Sequence, residues 1–153
     1  MPAPYFGGCL CGATRYRVAA EPVTVYACHC KDCQRRTGSA FGLSVVVPRN
    51  AIEITSGEPS SYHAELTEGR VKRGVQCGEC GARLWGELQK QPGMVVLQAG
   101  TLDDTSWVHP AAHVWTRSSQ SWFAFPPGVP VYRTSAEDFS QLVQHWRAAL
   151  SKG

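Results

Sequence analysis

Apolar and polar residues alternate along most of the chain in short runs, which is the pattern of half-buried β-strands. The runs end at glycine or proline, as at Glu21-Pro22 and Ser56-Gly57, where turns are expected. The longest apolar run, residues 41–47, predicts a strand covered on both faces. The strands predicted in this way are 14–18, 23–27, 41–47, 52–55, 60–63, 71–76, 83–85, 94–99 and 112–115.

A longer helical pattern occurs only near the C-terminus. Its apolar face is predicted to consist of Phe139, Leu142, Val143, Trp146 and Leu150. Ser135 is the predicted N-cap of this helix. A single helical turn is predicted for residues 34–38. The sequence therefore predicts a mainly β chain with a C-terminal helix, organised as one domain over residues 1–153.

Composition places the chain among ordinary globular proteins. A net charge of +3 and the absence of a long basic tail give no reason to expect a nucleic-acid partner. No stretch approaches the ~18 apolar residues of a membrane span, and no secretory signal is recognisable. We therefore expect no membrane partner and a cytoplasmic protein, in which the thiols stay reduced.

The seven cysteines provide the clearest chemical signal, because they fall into two pairs and a triplet. The pairs are Cys9-Leu10-Cys11 and Cys77-Gly78-Glu79-Cys80, and the triplet lies in Cys28-His29-Cys30-Lys31-Asp32-Cys33. An odd number of cysteines at these short spacings argues for metal ligands rather than for a disulfide framework.

The two pairs together supply the four thiolates of a closed structural zinc site, here called the four-cysteine cluster. Such a site contributes on the order of 10–16 kcal/mol of coupled folding free energy. Two alternatives remain open at this point: buried or adventitious thiols, and iron bound by four thiolates.

The triplet, Cys28, Cys30 and Cys33, predicts a second zinc site with an open fourth position, where occupancy can be partial. Three thiolates weaken zinc as a Lewis acid, so a substrate thiolate is a better fourth ligand than a reactive water. The alternatives are a structural zinc closed by His29 or a distant histidine, and three metal-free, redox-sensitive thiols.

Three further sets of residues are candidates for the site. His113, on a predicted strand, is a candidate catalytic group, whereas His29 is expected to make a loop hydrogen bond. Arg35 and Arg36 follow the triplet and could bind the carboxylate of an acidic thiol, or form a solvated pair. The tryptophans at 107, 115 and 122 could line a pocket or belong to the core.

The cysteine motifs and their surroundings resemble those of the glutathione-dependent formaldehyde-activating enzyme and centromere protein V family. The resemblance is carried by residues 8–12, 28–41, 77–81, 99–103 and 113–117, and by Trp122. It implies a β-tent of packed antiparallel sheets with zinc-binding loops. It also implies that the four-cysteine cluster holds a structural zinc and that the triplet holds the catalytic one.

The resemblance implies an activity as well, the condensation of glutathione with formaldehyde to S-hydroxymethylglutathione. We therefore expect a zinc-dependent carbon–sulfur lyase that acts on a thiol–aldehyde adduct and whose partner is a small thiol such as glutathione. Cys28, Cys30, Cys33 and His113 are its expected catalytic residues. The second hypothesis is a non-catalytic, zinc-stabilised module that binds protein or nucleic acid.

Overall fold

The computed structural model of the chain describes residues 2–69 and 71–151. Within these residues the strands are β1 Tyr5–Gly8, β2 Arg15–Val18, β3 Thr24–Cys28, β4 Gly42–Pro48, β5 Ile52–Ser56, β6 Pro59–Glu65, β7 Val71–Cys77, β8 Arg83–Glu87, β9 Met94–Gln98 and β10 His113–Val114. The helices are α1 Lys31–Thr37 and α2 Phe139–Leu150. The predicted mainly β fold class with a C-terminal helix is confirmed.

The chain divides into two compact units. The first comprises Met1–Pro22 and Val46–Trp107, and the second comprises Val23–Val45 and Val108–Gly153. The single-domain organisation stays a prediction. No helix in the part of the chain that the structure describes is long and apolar enough to cross a membrane.

The first unit contains two antiparallel arrangements of strands. Strands β1, β2 and β5 form a three-stranded sheet, and β9, β8, β7 and β6 follow one another in a second sheet. The alternation along β2 buries Tyr16 and Val18, and the ring of Tyr16 meets Trp85 edge-on at 6.0 Å. Burial of these large side chains provides the hydrophobic free energy that holds the unit together.

Strand β1 was not predicted, since its two glycines suggested a loop. Gly7 is required in this strand because a Cβ there would lie 2.3 Å from Tyr16 Oη and 2.4 Å from the Thr101 carbonyl oxygen. The glycine thus lets the backbone approach the buried tyrosine closely. This close packing carries the chain into the first cysteine pair.

In the second unit, β3 lies between β10 and the first part of β4. Strand β10 runs parallel to β3, with His113 opposite Ala27 and Val114 opposite Cys28. The sheets were predicted to be antiparallel. The parallel pairing of β10 with β3 is an exception, and it joins two strands that are far apart in sequence. It places His113 beside the end of the strand that carries the first cysteine of the triplet.

Helix α2 packs against β3 through Leu142 and Trp146, which are both buried, whereas Leu150 is exposed. The Thr24 hydroxyl donates to the Leu142 carbonyl at 2.8 Å and ties the helix to the strand. The prediction of Ser135 as N-cap was wrong by three residues. Asp138 caps the helix in a capping box with Gln141, which satisfies the first free backbone N–H groups.

Candidate metal centres

The structure brings the four-cysteine cluster together within the first unit. Cys9 and Cys11 follow β1, while Cys77 ends β7 and Cys80 lies in the turn before β8. Their four sulfur atoms lie within 4.8 Å of one another. Cys9 and Cys77 are buried and the other two are exposed, so the cluster lies at the surface of the unit.

Backbone turns aim these sulfurs at a common point. Gly12 and Gly81 have φ of 81° and 71°, in the left-handed region that favours glycine, and each follows a cysteine pair. Hydrogen bonds from the Thr14 hydroxyl and the Cys80 backbone N–H lower the pKa of the Cys77 thiol to about 6. The Cys77 sulfur is thereby disposed to bind a cation, because metals are bound by thiolates.

The sulfur separations fit a tetrahedral metal ion. Tetrahedral zinc with Zn–S bonds of ~2.3 Å requires neighbouring sulfurs about 3.8 Å apart. The Cys9 and Cys11 sulfurs are 3.5 Å apart, and those of Cys11 and Cys77 are 3.8 Å apart. All seven cysteines are free thiols. The donor set therefore fits a closed metal site.

The triplet forms a separate cluster in the second unit. Cys28 is the last residue of β3, Cys30 is the N-cap of α1, and Cys33 lies in its first turn. The three sulfurs lie within 4.8 Å of one another. Helix α1 begins at Lys31, earlier than the turn predicted from residue 34, because the Cys30 sulfur accepts the Cys33 backbone N–H at 3.3 Å.

Charge within the triplet is concentrated on one sulfur. Hydrogen bonds from the Cys28 and Cys30 thiols, and the charge of Arg36, hold the pKa of Cys33 well below its usual value. The pKa of the Cys28 thiol is raised by its hydrogen bonds with Cys30 and Cys33 and by burial. The triplet is thus an anionic, all-sulfur donor set, which suits a soft cation.

Neither cluster includes a histidine nitrogen among the described residues. The ring of His29 is instead hydrogen-bonded with that of His113, with its Nε2 2.9 Å from Nδ1 of His113. The side chain of His29 thus has a hydrogen-bond partner on strand β10 rather than within its own loop, where the sequence predicted one. The donor sets therefore differ by one sulfur, four against three.

His113 is buried, with 1% of its surface exposed, and His29 has none exposed. Burial lowers the pKa of His29 to about 4, an effect to which His113 adds, and burial also lowers the pKa of His113. Both rings are therefore neutral near pH 7. A catalytic role for His113 stays a prediction, and its ring faces His29 rather than an exposed surface.

The two predicted arginines differ in their surroundings. Arg36 is partly buried, and its Nη2 donates to the Cys33 sulfur at 3.7 Å. Arg35 is exposed. The structure thus brings Arg36, and not Arg35, against the triplet.

The tryptophans singled out in the sequence occupy three different settings. Trp107 packs on Tyr5, with ring centroids 4.8 Å apart. Trp115 has φ of 57°, unusual for a bulky residue, and Arg117 lies over its ring. Trp122 is 70% exposed. A shared pocket stays a prediction.

Sequence reasoning missed Tyr26, which lies two residues before Cys28 on β3. Residues two apart on a strand share a face, so the phenol and the first thiol of the triplet point the same way. The pKa of Tyr26 is raised by burial and by the nearby Cys28 and Cys33, and its hydroxyl is hydrogen-bonded with Ser44. The strand period was the signal that could have identified this residue.

Comparisons with known proteins agree on one family. The family model described as "Glutathione-dependent formaldehyde-activating enzyme" matches residues 4–118. Proteins provisionally named as this enzyme are similar to the chain. One from Penicillium rubens is 28% identical over 67% of this chain and 55% of its own length, and one from Halomonas elongata is 25% identical over 63% and 64%. The chain thus spans little more than half of the Penicillium relative.

A solved structure supports the fold. The crystal structure of a Rhodobacter sphaeroides protein has a TM-score of 0.51 to this chain at 15% identity. The likeness covers 83% of this chain and 98% of the other. At this identity the likeness concerns the fold alone.

Proposed function

Because the chain belongs to the family of glutathione-dependent formaldehyde-activating enzymes, we propose that it is a zinc-dependent carbon–sulfur lyase acting on a thiol–aldehyde adduct. In the direction of condensation the S–H bond of glutathione breaks and an S–C bond forms to formaldehyde. The thiol proton ends on the aldehyde oxygen, which gives S-hydroxymethylglutathione. The observation that carries the proposal is the unequal sulfur count, four in one cluster and three in the other.

Two zinc ions are proposed, one for each cluster. The four-cysteine cluster would hold a structural ion, and the triplet would hold a second one. Zinc at the triplet would supply a fourth position in which a substrate sulfur stays ionised near neutral pH. A reducing compartment such as the cytoplasm would keep all seven thiols available for these roles.

Arg36 is the residue we propose to hold the thiol substrate. Its guanidinium already donates to the Cys33 sulfur, so its charge offsets part of the negative charge of the triplet. It would favour an anionic thiol in the same place through Coulomb attraction. Arg35, on the same helix, is exposed to solvent, so water would screen its charge and its contribution to substrate binding would be small.

Tyr26 is the residue we propose as proton donor to the aldehyde oxygen. It shares a strand face with Cys28, and like any phenol it carries its proton at neutral pH; burial raises its pKa further. The phenol would donate its proton to the oxygen that becomes negative as the S–C bond forms. The phenolate would regain the proton released when the thiol ionises, so the net transfer is from the thiol to the aldehyde oxygen. Ser44, its hydrogen-bond partner, would hold the phenol in place.

The test is the rate of exchange of ¹³C-formaldehyde with its glutathione adduct, measured by magnetisation-exchange NMR. We expect Cys30→Ser to lower the rate to the uncatalysed background while circular dichroism and Tm stay near those of the wild type. The control is Cys80→Ser, which should lower Tm but leave the exchange rate of the folded fraction unchanged. Full exchange activity in Cys30→Ser would contradict the proposal, and unfolding of that variant would favour a structural role.

A second variant tests the proposed proton donor. Tyr26→Phe removes only the hydroxyl, and we expect it to lower the exchange rate on the order of 10²-fold, the contribution typical of a positioned acid. Metal content should stay unchanged because no sulfur is altered. An exchange rate within twofold of the wild type would exclude Tyr26 from the chemistry.

A further inference from the structure

The two faces of β3 have different neighbours, and the histidine pair lies on the face opposite the thiol of Cys28. Tyr26 and Cys28 share one face, while Ala27 faces the other way. His29 continues this alternation, so its ring points to the side of Ala27, which is also the residue opposite His113. The histidine pair therefore lies on the opposite face of β3 from the Cys28 sulfur.

The ring of His29 is held by one hydrogen bond and by neighbouring aromatic rings. Its Nε2 is hydrogen-bonded with Nδ1 of His113 at 2.9 Å. The rings of Phe41, Phe123 and Phe125 surround it, with centroids 4.9 to 5.4 Å from its own. A side chain enclosed by aromatic rings and joined by one directed hydrogen bond has little rotational freedom.

The backbone of His29 is fixed as well. Its N–H donates to the Val114 carbonyl at 2.9 Å, which extends the pairing of β3 with β10 by one residue. Its carbonyl accepts from Nε2 of Gln34 on α1 at 2.8 Å. Gln34 also donates to the Ser118 carbonyl at 2.8 Å. Residue 29, between two cysteines of the triplet, is therefore held by both its side chain and its main chain.

This arrangement has an energetic cost. Nδ1 of His29 and Nε2 of His113 are buried and have no hydrogen-bond partner among the described residues. A buried polar atom without a partner typically costs about 1–3 kcal/mol. Apolar side chains of similar size would avoid this cost, so packing alone does not account for two histidines here.

We propose that His29 and His113 are positioning residues, which hold the backbone between Cys28 and Cys30 so that the triplet binds its metal in one arrangement. The proposal rests on the proposed function, because that function is what gives the metal at the triplet a role in the reaction. It gives His113 a role different from that of a catalytic acid, because the ring acts through His29 and contacts no substrate. Partners outside the ligand shell typically change metal affinity about ten- to a hundredfold.

The experiment compares His113→Leu with His113→Asn. Both side chains have nearly the same shape, but only asparagine keeps a polar atom near the position of Nδ1. The probe is Co²⁺ alone, because its thiolate complexes absorb light. A Cys28→Ser protein gives the spectrum of the four-cysteine cluster, and subtraction gives that of the triplet.

We expect His113→Leu to raise the Co²⁺ Kd of the triplet about ten- to a hundredfold and to leave that of the four-cysteine cluster unchanged. His113→Asn should stay within about threefold of the wild type. A merely structural role would not separate the two clusters or the two variants. An unchanged triplet Kd in folded His113→Leu, or an equal loss in both variants, would overturn the proposal.

If His113→Leu does not fold, the comparison is made at His29 instead. His29→Met removes the ring nitrogen that is hydrogen-bonded with His113, whereas His29→Gln keeps a polar atom near the position of Nε2. We expect the same selective loss at the triplet in His29→Met and an affinity within about threefold of the wild type in His29→Gln. Equal triplet affinities in the two folded variants would overturn the proposal. Because Co²⁺ binding is measured without turnover, a selective loss in a protein that shows no formaldehyde exchange would support positioning while refuting the proposed reaction.

Discussion

Arg35 and Arg36 are neighbours in sequence but lie in different environments. This difference can be tested by substituting each residue singly. Arg36 Nη2 lies 3.7 Å from the Cys33 sulfur, whereas the side chain of Arg35 is exposed. A charged hydrogen bond beside an anionic sulfur is worth more than an exposed charge screened by water. Only one of the two arginines is therefore expected to matter for the thiol substrate.

We predict that Arg36→Ala lowers kcat/KM for glutathione about ten- to a hundredfold, the effect of losing one charge-assisted hydrogen bond. Arg35→Ala is the matched control and should stay within about threefold. Both values come from formaldehyde-exchange rates measured at several glutathione concentrations. Equal effects of the two substitutions would show that α1 contributes its overall charge rather than one contact.

The two cysteine pairs and the triplet could be identified as candidate metal ligands from the sequence, because the spacings within each of them are only two or three residues. A thiol two or three residues from another can reach the same ion whatever the rest of the fold does. The hydrogen bond between His29 and His113 could not be predicted in this way, since it depends on the parallel pairing of β3 with β10. The sequence therefore identified His113 as a candidate catalytic residue without indicating that it is buried.

At the scale of elements, helix α2 shows how a cap decides where a helix starts. Ser135 and Asp138 both suit an N-cap, but only Asp138 is followed three residues later by a glutamine that completes a capping box. The strands were predicted more closely than the helix start, because each alternating run ends at a turn residue. Strand β1 was missed because two of its four residues are glycines, which add nothing to an alternation of apolar and polar side chains.

We predict that Asp138→Ala lowers the free energy of unfolding by about 1 kcal/mol, through the loss of the cap to the first turn of α2. Ser135→Ala is the control, and its effect should stay within about 0.5 kcal/mol, as for an ordinary exposed substitution. Urea denaturation of the metal-loaded protein measures both. A larger effect at Ser135 would contradict the observed helix boundary.

At the scale of the whole molecule, the two clusters lie in different compact units. Cys9, Cys11, Cys77 and Cys80 belong to the first unit, and Cys28, Cys30 and Cys33 belong to the second. A closed ion in the first would join the loop after β1 to the turn before β8, which are far apart in sequence. This separation makes the clusters independently testable, because a change in one unit removes no ligand from the other.

We propose that one cluster is complete and that the other accepts a substrate thiol. The most direct measurement is Co²⁺ stoichiometry together with the change of the cobalt absorption as glutathione is added, in the wild type and in Cys28→Ser. We expect two ions per chain in the wild type and one in Cys28→Ser, and a glutathione response that disappears with the triplet ion. A single ion in the wild type, or a glutathione response that persists in Cys28→Ser, would contradict it.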